Sequence, residues 1–164
     1  MDQETASPNK SNLLWGLFAA GMGAFIMAGA SGLFGLDLHP TEGTPRWIGL
    51  CAGAIFLAGG LAVMLQSLPA AKPMPDGSLS PAAPRWLQGA SLALGLFIVG
   101  GLTAITLWIA FGPGPRHFSM SGSFASDRAN ETFGRAAFGF GAILGGLIFV
   151  VFLVGGARRL LRRD

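Results

Sequence analysis

Charged residues are scarce in this chain, and their absence from four long stretches is its most informative feature. Only 12% of the 164 residues are Asp, Glu, Lys or Arg, about half the share found in soluble domains. These residues and both histidines lie outside residues 11–36, 47–71, 86–115 and 136–157. A helix needs about 20 mostly apolar residues to cross a membrane. The sequence therefore predicts an all-α protein with four transmembrane helices.

Cysteine and the common catalytic motifs are also nearly absent. The one cysteine, Cys51, cannot form an internal disulfide, and its apolar surroundings are typical of a small packed hydrophobic residue. The chain contains no G-x-S-x-G, H-E-x-x-H, C-x-x-C or G-x-x-x-x-G-K sequence. Thr103 and Thr106 are nearly the only polar side chains deep within the apolar stretches. The sequence therefore predicts a non-catalytic protein that binds no cofactor and no metal.

The helix boundaries follow from capping residues, prolines and glycines. The predicted helices cover approximately residues 13–35, 47–68, 86–111 and 134–156, and a basic tail occupies residues 157–164. Asp127 and Asn130 are alternative, earlier starts for the fourth helix. All connections are short except the outer loop between helices 3 and 4, residues 112–134. These features predict a single integral membrane domain, residues 1–164, folded as a four-transmembrane-helix bundle.

The distribution of basic residues predicts the orientation. With the N-terminus in the cytoplasm, seven Lys and Arg residues lie on the cytoplasmic side and four on the opposite side, as the positive-inside rule favours. Without the C-terminal tail the numbers are three and four, so the tail decides the orientation, and the reverse topology is the alternative. A composition rich in Gly, Ala and Arg favours the bacterial cytoplasmic (inner) membrane, with both termini inside.

Small residues recur at every fourth position in three of the predicted helices. Because lipid tails are as apolar as leucine, transmembrane helices associate through close packing of small residues rather than through hydrophobic burial. We therefore expect these residues to face other helices and Phe and Leu to face lipid. A ridge not needed within the chain would bind a partner subunit or a second copy. The helix-packing residues are Gly16, Ala20, Ala24, Ala28 and Gly32 in helix 1, and Ala137, Gly141 and Gly145 in helix 4, with a shorter ridge of Ala54, Ala58 and Ala62 in helix 2.

The two histidines are weak candidates for a cofactor site. His39 and His117 follow helices 1 and 3, so both fall on the same predicted side of the membrane. A haem or a metal ion can use such a pair. No third ligand cluster accompanies them, however, and we expect ordinary interfacial histidines.

The outer loop is longer than a connection between two helices requires, and long loops are often functional. Asp127, Arg128, Glu131 and Arg135 follow one another at helical spacings and predict a charged face that leads into helix 4. The loop is either a solvated cap over the helices or a surface that binds a partner. The candidate partner-binding residues are Arg116, His117, Phe118, Asp127, Arg128 and Glu131.

The basic tail explains the net charge of +3. Arg158, Arg159, Arg162 and Arg163 directly follow a membrane helix, where arginines bind lipid headgroups and fix orientation. We therefore predict membrane lipids, and not nucleic acid, as the partner of this tail.

Together these patterns predict a non-catalytic integral membrane protein. Its expected role is an accessory, assembly or stabilising subunit of a larger membrane complex, in contact with other membrane subunits or with itself. A small oligomeric transporter or channel is the alternative, and it would need a polar path lined by residues such as Thr103 and Thr106. A haem- or metal-binding redox subunit is a further alternative.

Overall fold

The computed structural model describes residues 10–35, 45–71, 74, 79–80, 82–114 and 126–161. Its helices are α1 (Lys10–Ala30), α2 (Arg46–Gln66), α3 (Arg85–Phe111) and α4 (Asp127–Leu161), and a 3-10 turn covers Leu33–Gly35. Within these residues there is no β-strand. Each α-helix is long and apolar enough to cross a membrane. The predicted all-helical architecture with four candidate membrane spans is therefore confirmed.

Helix α1 ends at Ala30, earlier than the predicted end at residue 35. Gly32 and Gly35 have positive φ angles of 76° and 65°. Glycine adopts this left-handed conformation readily because it has no Cβ atom, and a residue in that conformation ends a right-handed helix. The backbone N–H of Ser31 donates to the carbonyl of Met27 at 2.9 Å and closes the last turn. The apolar stretch therefore continues past the helix that it predicts.

Helices α2 and α3 begin directly after a proline, close to the predicted starts. Pro45 and Pro84 are the N-cap residues, with extended backbone angles (φ −64°, ψ 143° and φ −53°, ψ 143°). Proline has no backbone N–H group, and the N–H groups at a helix start have no partner within the helix. Proline at this position therefore costs no hydrogen bond. The same three residues, Pro-Arg-Trp, thus begin both helices.

Helix α4 is 35 residues long and exceeds the predicted range of 134–156 at both ends. Ser126 caps its start: the backbone N–H of Asn130 donates to the Ser126 carbonyl at 3.0 Å, and that of Ala129 donates to the Ser126 hydroxyl at 3.4 Å. At 1.5 Å per residue the helix is about 52 Å long, whereas a hydrocarbon core is about 30 Å thick. Capping and charged side chains therefore extend α4 beyond its apolar part, as the alternative start at Asp127 predicts.

The helices pack as antiparallel neighbours in chain order. Helix α1 contacts α2, α2 contacts α3 and α3 contacts α4, whereas α1 and α4 do not contact each other over their described residues. One end of the molecule, here named the Lys10 end, holds Lys10, Gln66, Arg85 and Leu161. The opposite end, named the Asp127 end, holds Ala30, Arg46, Phe111 and Asp127. No other described helix therefore covers the outer faces of α1 and α4.

Glycines bring α1 and α2 into backbone contact. A Cβ atom added to Gly23 would lie 2.5 Å from the Gly53 carbonyl oxygen, and one added to Gly16 would lie 2.9 Å from the Gly60 oxygen. Ala20, also buried, packs on Gly60. The buried small residues recur every seven positions, at Gly16, Gly23 and Ala30 in α1 and at Gly53 and Gly60 in α2. Seven residues are nearly two helical turns, so this spacing keeps one face toward a neighbour.

The predicted ridge of small residues in α1 is therefore only partly in this interface. Gly16 and Ala20 are buried, but Ala24 is exposed, Ala28 is half-buried, and Gly32 lies beyond the end of the helix. A step of four residues turns the helix by about 40° more than one full turn. A ridge at that spacing consequently winds away from its partner helix within three steps.

Small residues also lie in the α3–α4 interface. Gly145 packs on the Thr103 side chain, Gly100 on Phe149 and Gly156 on Leu92, and Ala142 is buried. Of the predicted packing residues of α4, Gly145 is thus in the interface. Ala137 is exposed, and no atom lies within 4 Å of a Cβ added to Gly141.

The connection between α2 and α3 contains a small hydrophobic cluster. Leu87 and Ala71 are fully buried and pack with Ala83, and Leu65 and Leu79 lie against them. The side-chain amide of Gln88 donates to the Ala83 carbonyl at 2.8 Å. Ala71, Leu79 and Ala83 of this connection therefore pack on the ends of both helices.

Tryptophans lie near both ends of the apolar helices. Trp47 and Trp108 form an edge-to-face pair at the Asp127 end, with ring centroids 6.2 Å apart. Trp86 lies at the Lys10 end and is 60% exposed. From Trp86 to Trp108, helix α3 rises about 33 Å at 1.5 Å per residue. This distance matches the thickness of a hydrocarbon core, and indole rings prefer its two boundaries.

Candidate functional site

A cluster of hydrogen bonds around Arg135 joins the end of α3 to the start of α4. The guanidinium donates to the backbone carbonyls of Ala110 at 3.3 Å, Gly112 at 3.2 Å and Gly114 at 2.6 Å. It also donates through Nε to the carboxylate of Glu131 at 3.0 Å, and its Nη2 atom lies 3.0 Å from the same oxygen. Arg135 therefore binds one turn of its own helix and the C-terminus of its neighbour.

Arg135 makes four hydrogen bonds through its guanidinium group. A guanidinium carries five N–H donors in a fixed plane, and the contacts of Arg135 involve all three of its nitrogen atoms. The last carbonyls of a helix have no partner within the helix and carry a partial negative charge. The positive side chain satisfies such carbonyls at the end of α3. The immediate role of Arg135 is therefore structural.

The first turns of α4 extend beyond the end of α3. Arg135 is level with the C-terminus of α3, and the eight residues before it rise about 12 Å further at 1.5 Å per residue. We name this segment, residues 127–134, the α4 projection. Phe133 within it is 61% exposed, and Arg128 and Thr132 are exposed. The α4 projection thus presents an aromatic ring, a cation and a hydroxyl group together.

One buried polar atom of the α4 projection has no partner. The side-chain oxygen of Asn130 is inaccessible to solvent and accepts no hydrogen bond. Thr132, two residues later, donates its hydroxyl hydrogen to the Arg128 carbonyl at 2.9 Å. A buried acceptor without a donor costs about 1–3 kcal/mol. The α4 projection therefore carries one hydrogen-bonding group that is not satisfied within the described residues.

The structure describes only part of the predicted partner-binding and lipid-binding residues. Arg128 and Glu131 lie in the α4 projection, and Arg158 is exposed near the other end of α4. Asp127 and Arg159 lie in α4, where the structure describes their backbone. The residues outside the described part of the chain are His39, Arg116, His117, Phe118, Arg162 and Arg163.

The cofactor prediction for the histidines accordingly stays a prediction. Both His39 and His117 fall outside the described residues. The part of the chain that the structure describes contains no group of three His, Cys, Asp or Glu residues able to hold a metal ion.

The deep polar residues of α3 are engaged within their own helix. Thr103 donates its hydroxyl hydrogen to the Val99 carbonyl at 2.8 Å, and Thr106 donates to the Thr103 carbonyl at 2.9 Å. The Thr103 side chain also packs on Gly145 of α4. Both hydroxyl groups are therefore hydrogen-bonded within α3, and that of Thr103 also lies against α4.

Arg135 is not among the functional residues predicted from the sequence, although its distance from Glu131 in the sequence indicates an ion pair. Glu131 and Arg135 are four residues apart, the separation at which opposite charges pair on a helix. The sequence pattern predicts that Arg135 belongs to a charged face with Arg128. Only the position of α3 beside α4 shows that Arg135 also binds backbone carbonyls far away in sequence.

Comparison with known proteins adds no relationship from which to infer a role. The chain matches no protein-family model, no curated protein and no solved structure.

Proposed function

We propose that this chain is a non-catalytic multi-pass membrane protein that acts as an accessory, assembly or stabilising subunit of a larger membrane complex. Four helices of spanning length and composition support the membrane location. The observation that carries the proposed role is the α4 projection, which extends past α3 and holds Phe133 in an exposed position. Aromatic residues are enriched in surfaces that bind another protein.

The junction with α3 supports this role because it makes the α4 projection rigid. Arg135 fixes α4 to the α3 terminus through three backbone carbonyls. A pre-organised binding segment loses less conformational entropy when it binds. The proposed partner is another membrane protein with a surface close to the bilayer at the Asp127 end.

The proposed location is the bacterial cytoplasmic membrane with both termini inside. By their place in the sequence, seven of the eleven basic residues fall on the cytoplasmic side in this orientation, and basic residues favour that side. We expect a green fluorescent protein fused after Asp164 to fluoresce in a bacterial host and an alkaline phosphatase fused there to be inactive. Active alkaline phosphatase with no fluorescence would show that the C-terminus lies outside the cytoplasm, which contradicts the proposed orientation.

The partner role is tested by purification of the full chain from native membranes. We expect a second membrane protein to co-purify in a fixed ratio, and Phe133→Gln to reduce its yield at least tenfold because the ring is lost. The thermal midpoint should not change, since the Phe133 side chain is 61% exposed. The measurements are the protein ratio and the thermal midpoint in detergent.

A matched control uses an exposed phenylalanine within the apolar part of α3. Phe97 is 49% exposed, and Phe97→Gln should leave the yield of the partner unchanged. The proposal fails if the wild-type chain purifies alone at the mass of one or several copies. It also fails if Phe97→Gln and Phe133→Gln reduce the yield equally.

A further inference from the structure

The charged residues that the structure describes are distributed unequally between the two ends of the molecule. Those at the Lys10 end are all basic: Lys10, Arg85, Arg158 and Arg159. At the Asp127 end, three basic residues accompany two acidic ones: Arg46, Arg128, Arg135, Asp127 and Glu131. Over the described residues, the Lys10 end therefore attracts anions more strongly than the Asp127 end.

The register of the helices places three cations from three different helices at a similar depth. Gly156 of α4 packs on Leu92 of α3, so Arg158 lies little more than one turn of α3 from the level of Arg85. In α1, Gly16 packs on Met64 at the end of α2, which places Lys10 near the same level. By the rise of 1.5 Å per residue, the three Cα atoms lie within about 8 Å along the helix axes.

These cations are accessible and lie beside rings that mark a membrane boundary. Lys10, Arg85 and Arg158 are all exposed. Trp86 and Trp15 are 60% and 67% exposed at about the same depth. Tryptophan rings prefer the headgroup level of a bilayer. The cations therefore lie where phosphate groups of lipids are found.

We propose that the Lys10 end binds anionic phospholipid headgroups through Lys10, Arg85 and Arg158, with selectivity over zwitterionic headgroups. The cations come from separate helices and follow the edge of the helix layer, as lipid headgroups around a membrane protein do. Basic residues near an anionic surface each contribute about a fivefold change in binding. The site thus includes α1 and α3 and is not confined to the tail of α4. The inference uses the proposed membrane insertion but not the proposed accessory role.

The repeated Pro-Arg-Trp sequence provides a matched pair of variants. Arg85 and Arg46 are both exposed, both begin a helix after a proline, and both precede a tryptophan. They lie at opposite ends of the molecule. Arg85→Gln should lower selectivity for anionic lipid, whereas Arg46→Gln should not.

The experiment measures the association of spin-labelled phosphatidylglycerol and phosphatidylcholine with the full chain in phosphatidylcholine vesicles. We expect the wild type to prefer phosphatidylglycerol, and the preference to decrease up to about fivefold with each of Arg85→Gln, Arg158→Gln and Lys10→Gln. High salt should decrease it as well, because these charges are screened. Inorganic phosphate should not compete at millimolar concentration.

Equal association of the two lipids would overturn the proposal, as would an equal loss of preference with Arg46→Gln. Competition by inorganic phosphate would also overturn it, because the ligand would then be a free anion. A variant that fails to insert into the bilayer will not float with phosphatidylcholine vesicles. In that case the remaining single variants test the proposal. Failure of insertion by the wild type would refute the membrane location, and the co-purification experiment tests the accessory role separately.

Discussion

Replacement of Gly60 by alanine is expected to destabilise the protein by about 1–3 kcal/mol, the usual cost of adding volume to a packed interface. A Cβ atom at this position would lie 2.5 Å from the Gly16 carbonyl oxygen and 2.8 Å from the Ala20 Cα. Both are backbone atoms, so no side chain can rotate to make room. The two helices must separate, and the close contacts that hold α1 to α2 are lost along their length.

The adjacent glycine is the matched control for this prediction. A Cβ atom added to Gly59 has no neighbour within 4 Å, and alanine stabilises a helix interior by up to about 1 kcal/mol relative to glycine. Gly59→Ala should therefore leave the protein unchanged or slightly more stable. The measurement is the free energy of unfolding in mixed micelles, with helical content followed by circular dichroism.

The same comparison can be made in α1. Gly23 faces backbone atoms of Gly53 and Leu57, whereas a Cβ atom added to Gly21 meets nothing within 4 Å. We expect Gly23→Ala to destabilise and Gly21→Ala not to do so. If both alanines in each pair have the same effect, the seven-residue packing of α1 on α2 is incorrect.

Replacement of Arg135 by lysine is expected to destabilise the α3–α4 junction by about 1.5–3 kcal/mol, the range for hydrogen bonds that involve a charged group. Lysine keeps the positive charge but has three donors on one atom. It cannot reach the carbonyls of Ala110, Gly112 and Gly114 together with the Glu131 carboxylate. The lost contacts leave the end of α3 without these partners, and we expect the start of α4 to exchange amide hydrogens faster.

Arg128 is the control for the effect of charge in the same helix. It is exposed one turn before Glu131, and substitution of an exposed residue usually changes stability by less than about 0.5 kcal/mol. Arg128→Lys should therefore leave the thermal midpoint and the amide exchange of α4 unchanged. Equal stability of the Arg135→Lys and Arg128→Lys variants would show that charge alone, and not the guanidinium geometry, holds the junction.

The helix boundaries show how far local sequence signals extend. The start of α3 at Arg85 follows from Pro84, since proline restricts its own backbone and donates no hydrogen bond. The end of α1 does not follow from its apolar residues, which continue to residue 36. There the positive φ angles of Gly32 and Gly35 end the helix. Hydropathy indicates which residues can lie in hydrocarbon, whereas the backbone conformation determines the residue at which the helix ends.

The sequence by itself determined the number of helices that are long and apolar enough to cross a membrane. This number follows from local composition, because a charged group costs free energy in hydrocarbon whatever its neighbours are. Only the tertiary structure decided that Gly23 and Gly60, and not Ala24 and Gly59, face a neighbouring helix. It also decided that Arg135 binds carbonyls of α3. These contacts depend on the direction and register in which two helices cross, and no single helix encodes them.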